Sequence, residues 1–118
     1  MILVDTSVWV NHLRRRDAVL AEQLEAGEVL CHPYVIGEIS LGSLKRRTEV
    51  LGLLASLPSA AVVSHDDAMA FADRRGLAGR SIGWIDVHLA ASAVVSGARL
   101  WSADRRLEEI ARDLRIAR

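Results

Sequence analysis

The stretch MILVDTSVW at residues 1–9 combines an apolar run with an acid and two hydroxyl side chains. Residues 1–4 are continuously apolar, which is typical of a central strand buried on both faces. Asp5 follows this strand, and the pattern predicts a helix from Thr6 to Leu13. In open α/β sheets, ligands bind beyond the carboxyl ends of parallel strands. Asp5 is therefore predicted to lie at a binding edge of the sheet.

A second acid follows a predicted strand in the same way near the other end of the chain. The run ARLW at residues 98–101 predicts a strand, and Asp104 stands just beyond it, before a helix. Because the carboxyl ends of parallel strands share one edge, Asp104 is expected close to Asp5. The hydroxyls of Ser7 and Ser102 are expected at the same rim.

The rest of the chain alternates predicted strands with predicted helices, which indicates a mostly parallel sheet covered by helices on both faces. At 118 residues, the chain is expected to form one domain, residues 1–118. Because 51% of the residues are hydrophobic and only 4% are aromatic, the core should be aliphatic. Further strands are expected at 28–31, 61–63 and 115–117, and helices at 17–27, 34–47, 49–57, 67–77, 85–96 and 107–114.

Two more acids fall within apolar helical segments. Asp86 lies in the first turn of the predicted helix 85–96, which is rich in alanine and valine. Glu38 lies on the apolar face of the predicted helix 34–47. An unpaired carboxylate buried on such a face would be costly, so Glu38 is expected to have a partner.

Each acid also has a purely structural explanation. Asp5 and Asp104 could serve only as helix N-caps, Asp86 could interact only with its helix dipole, and Glu38 could pair with a buried arginine. Together, however, the four acids can face one crevice above the sheet. Carboxylates gathered in this way repel one another unless protons or cations neutralise them. An all-oxygen set of ligands favours Mg²⁺ or Mn²⁺, and no histidine or cysteine spacing indicates zinc.

The composition of the chain bears on its possible partners and on its cellular location. The 15 basic residues balance the 15 acidic ones, so the net charge gives no sign of a nucleic-acid partner. Fourteen of the basic residues are arginine, however, and the guanidinium group binds phosphate oxygens well. The single cysteine, Cys31, fits a reducing compartment. Neither a secretory signal nor a membrane span is expected, so the protein is predicted to be cytoplasmic. No role is assigned to the scattered histidines, His12, His32, His65 and His88.

At these acids the sequence closely resembles the PIN-domain ribonucleases, and in particular the VapC-type toxins of bacterial type II toxin–antitoxin systems. The resemblance covers essentially the whole chain. Its elements are VDTSVW at 4–9, Gly37-Glu38, IDVHLAA at 85–91 and LWSAD at 100–104. Each element is weak alone, but four in this order are specific. Ser102 stands where threonine is commoner in the family, and Leu107 where an aromatic residue is often found.

The resemblance implies a PIN-like three-layer α/β/α sandwich with a central, mostly parallel five-stranded sheet. It implies that Asp5, Glu38, Asp86 and Asp104 hold one or two Mg²⁺ or Mn²⁺ ions, with Ser7 and Ser102 in support. The implied activity is an endoribonuclease that leaves 5′-phosphate and 3′-hydroxyl ends. The implied partners are an RNA substrate, a second copy in a homodimer, and a VapB-like antitoxin that neutralises the toxin.

Two other classes of function remain open from the residues alone. A phosphoacceptor signalling domain also has an acidic Mg²⁺ pocket, but it needs a lysine beyond the last strand, and the only lysine is Lys45. A silent interaction module would keep the fold without catalysis. Basic residues near the rim, Arg80 or Arg105 for example, are expected to hold phosphates that flank the cleaved bond; the sequence does not show which arginines bind RNA.

Overall fold

The computed structural model describes all residues, 1–118, as seven helices and three strands. In chain order these are β1 (Ile2–Val4), α1 (Thr6–Arg14), α2 (Ala18–Glu25), β2 (Val29–Leu30), α3 (Pro33–Ser40), α4 (Arg47–Ser56), α5 (His65–Arg74), α6 (Trp84–Val95), β3 (Arg99–Trp101) and α7 (Arg105–Asp113). None of the helices has both the length and the apolar character needed to span a membrane.

The sheet is parallel and has the strand order β2-β1-β3. The central strand pairs Leu3 with Leu30 on one side and with Leu100 on the other. Leu3 and its neighbour Val4 are fully buried, as the apolar run predicts for a central strand. The strand alternation is confirmed for these three strands, and β1 and β3 end side by side.

The two outer strands of the expected five are each reduced to a single parallel bridge. Cys31 pairs with Ser59 beyond β2, and Leu100 pairs with Ala117 beyond β3. The strand expected at 61–63 is wrong, because pairing occurs earlier and then stops. The N–H of Ala61 donates to Oγ of Ser96 at 2.9 Å, so a side chain takes the place of a neighbouring strand.

The helix expected over 34–47 is also wrong in its second half. The helix α3 ends at Ser40, and the chain turns before α4 begins at Arg47. Oγ of Ser40 donates to the carbonyl of Gly37 at 2.6 Å, and Arg46 adopts a left-handed conformation with φ of 55°. A serine that bonds its own backbone and a following glycine both favour the end of a helix.

The buried core is one cluster of 25 hydrophobic residues from the sheet and the surrounding helices, and α6 is the helix with the most buried residues. Residues 87–93 of α6 are all buried, and α6 packs on both β1 and β3. This confirms the expectation that the alanine-rich helix is covered on most sides. Elsewhere in the fold, α1 packs on α3, and α3 packs on α4. The core thus fixes the starts of α1, α6 and α7 relative to the ends of the strands.

Replacing Leu3 by alanine should lower the free energy of unfolding by about 2–5 kcal/mol, because the site is fully enclosed and cannot collapse around the cavity. Leu41→Ala is the matched control, since Leu41 is 89% exposed and its loss should change stability by no more than about 0.5 kcal/mol. Urea denaturation measures both. Equal losses would contradict the assignment of β1 as the centre of the core.

Candidate active site

Asp5 lies at the end of β1 and is only 4% exposed. Its Oδ1 accepts the N–H of Thr6 at 2.8 Å. Its Oδ2 accepts two hydroxyls, from Ser7 at 2.7 Å and from Ser102 at 2.9 Å. A capping side chain normally accepts the second or third N–H of its helix, and Asp5 accepts neither. Capping therefore does not account for this carboxylate.

The hydroxyls of Ser7 and Ser102 join the two strand ends. Each donates to Asp5, and each also accepts a backbone N–H, from Ala103 to Ser7 and from Asp104 to Ser102, both at 2.9 Å. The two oxygens are 3.4 Å apart. The segment after β3 is therefore fixed to the end of β1 through side chains as well as through the sheet.

Asp104 lies beside this junction and combines a structural role with a free oxygen. Its Oδ1 accepts the N–H groups of Arg106 at 3.0 Å and Leu107 at 3.1 Å, which caps α7. Its Oδ2 has no hydrogen-bond partner, and the residue is exposed. The capping explanation is thus right for one oxygen and leaves the other available.

Glu38 is exposed, which corrects the expectation that it is buried on an apolar face. It lies on α3, and its Oε1 accepts the hydroxyl of Thr6 at 2.8 Å. No arginine pairs with it, so its expected structural alternative is absent. The bond to Thr6 connects α3 to the start of α1, next to Asp5.

Asp86, in the first turn of α6, is electrostatically coupled to the other three acids. Partial burial, followed by the negative charges of Asp5, Asp104 and Glu38, raises the pKa of Asp86 to about 6. Asp86 makes no hydrogen bond or ion pair. The four predicted acids therefore form one group, with Asp86 as the member most affected by the others.

The chemistry of this group fits a hard divalent cation. Its donors are all carboxylate oxygens, and none of the four acids is neutralised by an ion pair with arginine or lysine. No three acidic or histidine side chains are close enough to form a ready chelate. Mg²⁺ commonly binds one or two carboxylates and keeps several waters, so a spaced set of acids suits it.

The two arginines expected near phosphates differ in position. Arg80 pairs with Asp113 at 2.7 Å, at the far end of α7 and roughly 13 Å along the helix from Asp104. Arg80 is thus engaged in an ion pair, and its contact with a flanking phosphate stays a prediction. Arg105 follows Asp104 directly and has a 92% exposed side chain, with only a 3.6 Å contact to Glu109.

A groove and a set of rings adjoin the acids, and the sequence indicated neither. The groove encloses about 460 Å³, and its lining includes Val10, Leu13, Arg14, Glu38, Ile39, Leu44 and Lys45. The rings lie in successive contact in the order His32, Tyr34, His88, Trp84, His65. Three of the four histidines set aside as scattered therefore belong to one cluster. Helical spacing alone could have suggested only the pair Trp84 and His88, which are four residues apart.

Burial governs the charge of the inner histidines. Burial, with the nearby His88, lowers the pKa of His32 to about 4. Burial and the nearby His65 lower the pKa of His88. Nδ1 of His32 accepts the N–H of Tyr34 at 3.0 Å and caps α3, which requires that nitrogen to be unprotonated. The contacts that His32 and His88 make with the neighbouring rings therefore form with neutral imidazoles near pH 7.

Comparisons with known proteins agree with this architecture. The PIN domain family matches residues 2–113. Ribonuclease VapC32 of Mycobacterium tuberculosis is 53% identical over 109 residues, which cover 92% of this chain and 88% of that protein. Ribonuclease VapC11 of the same organism is 34% identical over 128 residues, with 95% and 92% coverage. PAE2754 from Pyrobaculum aerophilum aligns with a TM-score of 0.63 at 21% identity, over 92% of this chain and 78% of that one, which supports the fold alone.

Asp86→Asn should raise the stability of the cation-free protein at pH 8 by roughly 1–2 kcal/mol after allowance for solvent screening. The pKa of Asp86 rises from 3.8 to about 6 on folding, so its contribution to stability is full below 3.8 and lost as pH rises through 6. Urea denaturation in chelator measures this. Asp67→Asn is the control, because Asp67 holds the same third position in α5. A variant no more stable than the wild type would contradict the coupling.

His32 should make the protein less stable in mild acid. Its pKa falls from 6.5 to about 4 on folding, so the unfolded chain takes up the proton first. Its stabilising contribution is therefore present above pH 6.5 and lost progressively down to pH 4, by about 3 kcal/mol. Unfolding free energies at pH 7 and 4.5, compared with those of His32→Asn, which preserves a capping side chain, measure the effect. Equal pH dependence in both proteins would exclude it.

Proposed function

This chain belongs to the PIN-domain family, among its VapC-type members, and on that basis we propose that it is a metal-dependent endoribonuclease and the toxin of a type II toxin–antitoxin system. The observation that carries the proposal is the coupling of Asp86 to Asp5, Asp104 and Glu38. The VapC relatives, which are named ribonucleases, support the same reaction class. The proposed unit is one PIN domain over residues 1–118.

The proposed cofactor is Mg²⁺, with Mn²⁺ as a substitute, as one or two ions held by the four acids directly or through water. When bound, the ion lowers the pKa of a water molecule and offsets the negative charge that grows on the phosphate. Binding requires the carboxylates to be ionised. Because the pKa of Asp86 is about 6, a proton competes with the cation below that pH, and affinity should increase as pH rises through 6.

The roles proposed for the other residues follow from their contacts. Oδ2 of Asp5 accepts two hydroxyls, so Ser7 and Ser102 restrict its carboxylate to one orientation. Asp104 keeps one oxygen on the helix cap and presents the other. Glu38, whose Oε1 accepts the hydroxyl of Thr6, would complete the site or orient the attacking water.

The substrate and partners are proposed with the same function. Arg105, exposed beside Asp104, would contact a flanking phosphate of the RNA. A VapB-like antitoxin would neutralise the toxin, and the groove beside Glu38 has apolar walls that suit a peptide segment. Exposed apolar side chains such as Leu53 and Met69 leave surface for a homodimer. The buried free thiol of Cys31 suits the proposed cytoplasmic location.

Of the competing classes, the phosphoacceptor domain loses its support. Lys45 lies in the loop between α3 and α4, not after the last strand of the sheet. The silent interaction module is separated from the ribonuclease by experiment.

Purified, antitoxin-free protein should cut members of an end-labelled panel of transfer, ribosomal and messenger RNA with Mg²⁺ or Mn²⁺, and chelator should stop the cutting. Asp5→Asn and Asp104→Asn should each lower the rate by on the order of 100-fold or more, because each removes a charge that offsets the cation. Circular dichroism should show both variants folded, since asparagine keeps the size of the side chain and can still cap α7.

Asp17→Asn is the matched control, because Asp17 caps α2 with the same pair of hydrogen bonds and lies outside the acid group. It should cut RNA at the wild-type rate. Full activity of Asp5→Asn would refute the assignment of the site. No cutting of the panel or of total cellular RNA by folded wild-type protein would favour the silent interaction module.

A further inference from the structure

The aromatic side chains of this protein are few and unevenly exposed. Among the five Phe, Tyr and Trp residues, Trp9 and Phe71 are buried, and Trp101 is covered by the guanidinium of Arg118 at 3.9 Å from the ring centre. Tyr34 is 38% exposed and Trp84 is 40% exposed. All of the strongly exposed aromatic surface is therefore contributed by these two side chains.

Both exposed rings adjoin the acid group. Tyr34 precedes Glu38 by four residues on α3, and residues with that spacing lie one above the other on a helix face. Trp84 begins α6, two residues before Asp86. Each of the two helices thus supplies one acid and one exposed ring. The aromatic surface is consequently continuous with the acid group.

The rings are held in place from below by His88. Its ring centre lies 5.0 Å from that of Tyr34 and 4.9 Å from that of Trp84, with interplanar angles of 67° and 90°. His88 is buried, as is His32, whose ring lies 4.9 Å from Tyr34 on the other side. Fixed aromatic surface costs little entropy to use in binding, because its rotamers are already restricted.

We propose that Tyr34 and Trp84 form a stacking site for unpaired nucleobases next to the phosphodiester bond that is cut. This inference rests on the proposed ribonuclease function and names the two side chains that would hold unpaired bases beside the cleaved bond. Unstacked bases bind proteins by stacking on aromatic side chains, whereas bases inside an A-form helix are not available for this. Acids alone would bind cations, and through them the phosphate backbone, without any preference for bases.

A binding experiment separates stacking on bases from attraction to the backbone. The probes are a labelled single-stranded RNA of about twelve nucleotides and an abasic ribose-phosphate chain of equal length, a length that fits the span of single-stranded sites. Titrations use the Asp104→Asn background with Mg²⁺ to prevent cleavage. The protein should bind the base-bearing RNA roughly tenfold more tightly than the abasic chain, and Trp84→Ala or Tyr34→Ala should remove most of that difference.

Conservative and distant substitutions serve as controls. Trp84→Phe and Tyr34→Phe should retain the preference for bases, because a ring remains. Val95→Ala, at the exposed end of α6, should leave it unchanged. Thermal unfolding checks that the alanine variants stay folded. A preference that survives both alanine substitutions, or a wild-type surface with no preference for bases, overturns the proposal.

Cleavage assays keep this inference distinct from the proposed function. Trp84→Ala with Asp104 intact should still cut RNA, with KM raised roughly tenfold. Cutting with unchanged KM and kcat would leave the ribonuclease standing and overturn the stacking site. A base preference without any cutting would support the stacking site and refute the ribonuclease. Loss of antitoxin binding in both alanine variants, with base preference intact, would assign the rings to a protein partner instead.

Discussion

Two hydrogen bonds to one oxygen, Oδ2 of Asp5, join the chain segments that follow β1 and β3 at the carboxyl edge of the sheet. The hydroxyls that make them come from Ser7 at the start of α1 and Ser102 just after β3, so segments almost a whole chain apart meet on a buried carboxylate. Each hydroxyl also accepts a backbone N–H, so both serine hydroxyls donate one hydrogen bond and accept one. The starts of α1 and α7 are therefore set relative to each other by a few polar contacts above an apolar core.

The acid group opposes the stability that this core provides. Burial and three nearby negative charges raise the pKa of Asp86, which means that its ionised form is disfavoured in the folded protein. Folding thus holds four carboxylates close enough to repel one another, and a bound cation would offset this repulsion. A protein optimised only for stability would replace Asp86 with a neutral residue. An acid at this position, without an ion pair to compensate it, supports the proposed cation site.

The sequence predicted the parts of the fold where one strong pattern operates. The apolar run before Asp5 and the alanine-rich segment around Asp86 gave β1 and α6, because burial on all sides leaves a simple signature. The expected strand at 61–63 failed because a distant side chain, Ser96, takes one of its N–H groups. The burial expected for Glu38 failed because Val35 and Ile39 form the buried side of α3, whereas Glu38 lines the groove.

The sequence could predict that the four acids lie near one edge of the sheet, because strand ends and helix starts meet there. It could not predict the distances between them. The ring cluster was unpredictable for a different reason. His32 and Tyr34 lie at the start of α3 and His88 lies on α6, so only tertiary packing brings His88 into contact with Tyr34. Periodicity describes one element at a time, so contacts between elements lie beyond it.

The single bridges at Ser59 and Ala117 have a consequence for association. An exposed strand edge is a template on which another chain can add, and long edges invite aggregation. Here each outer side of the sheet pairs with a neighbouring segment at one residue only, Ser59 on one side and Ala117 on the other. β-Strand addition at either outer edge would therefore have only a single bridged residue to extend, whereas the seven helices offer much longer surfaces to a macromolecular partner.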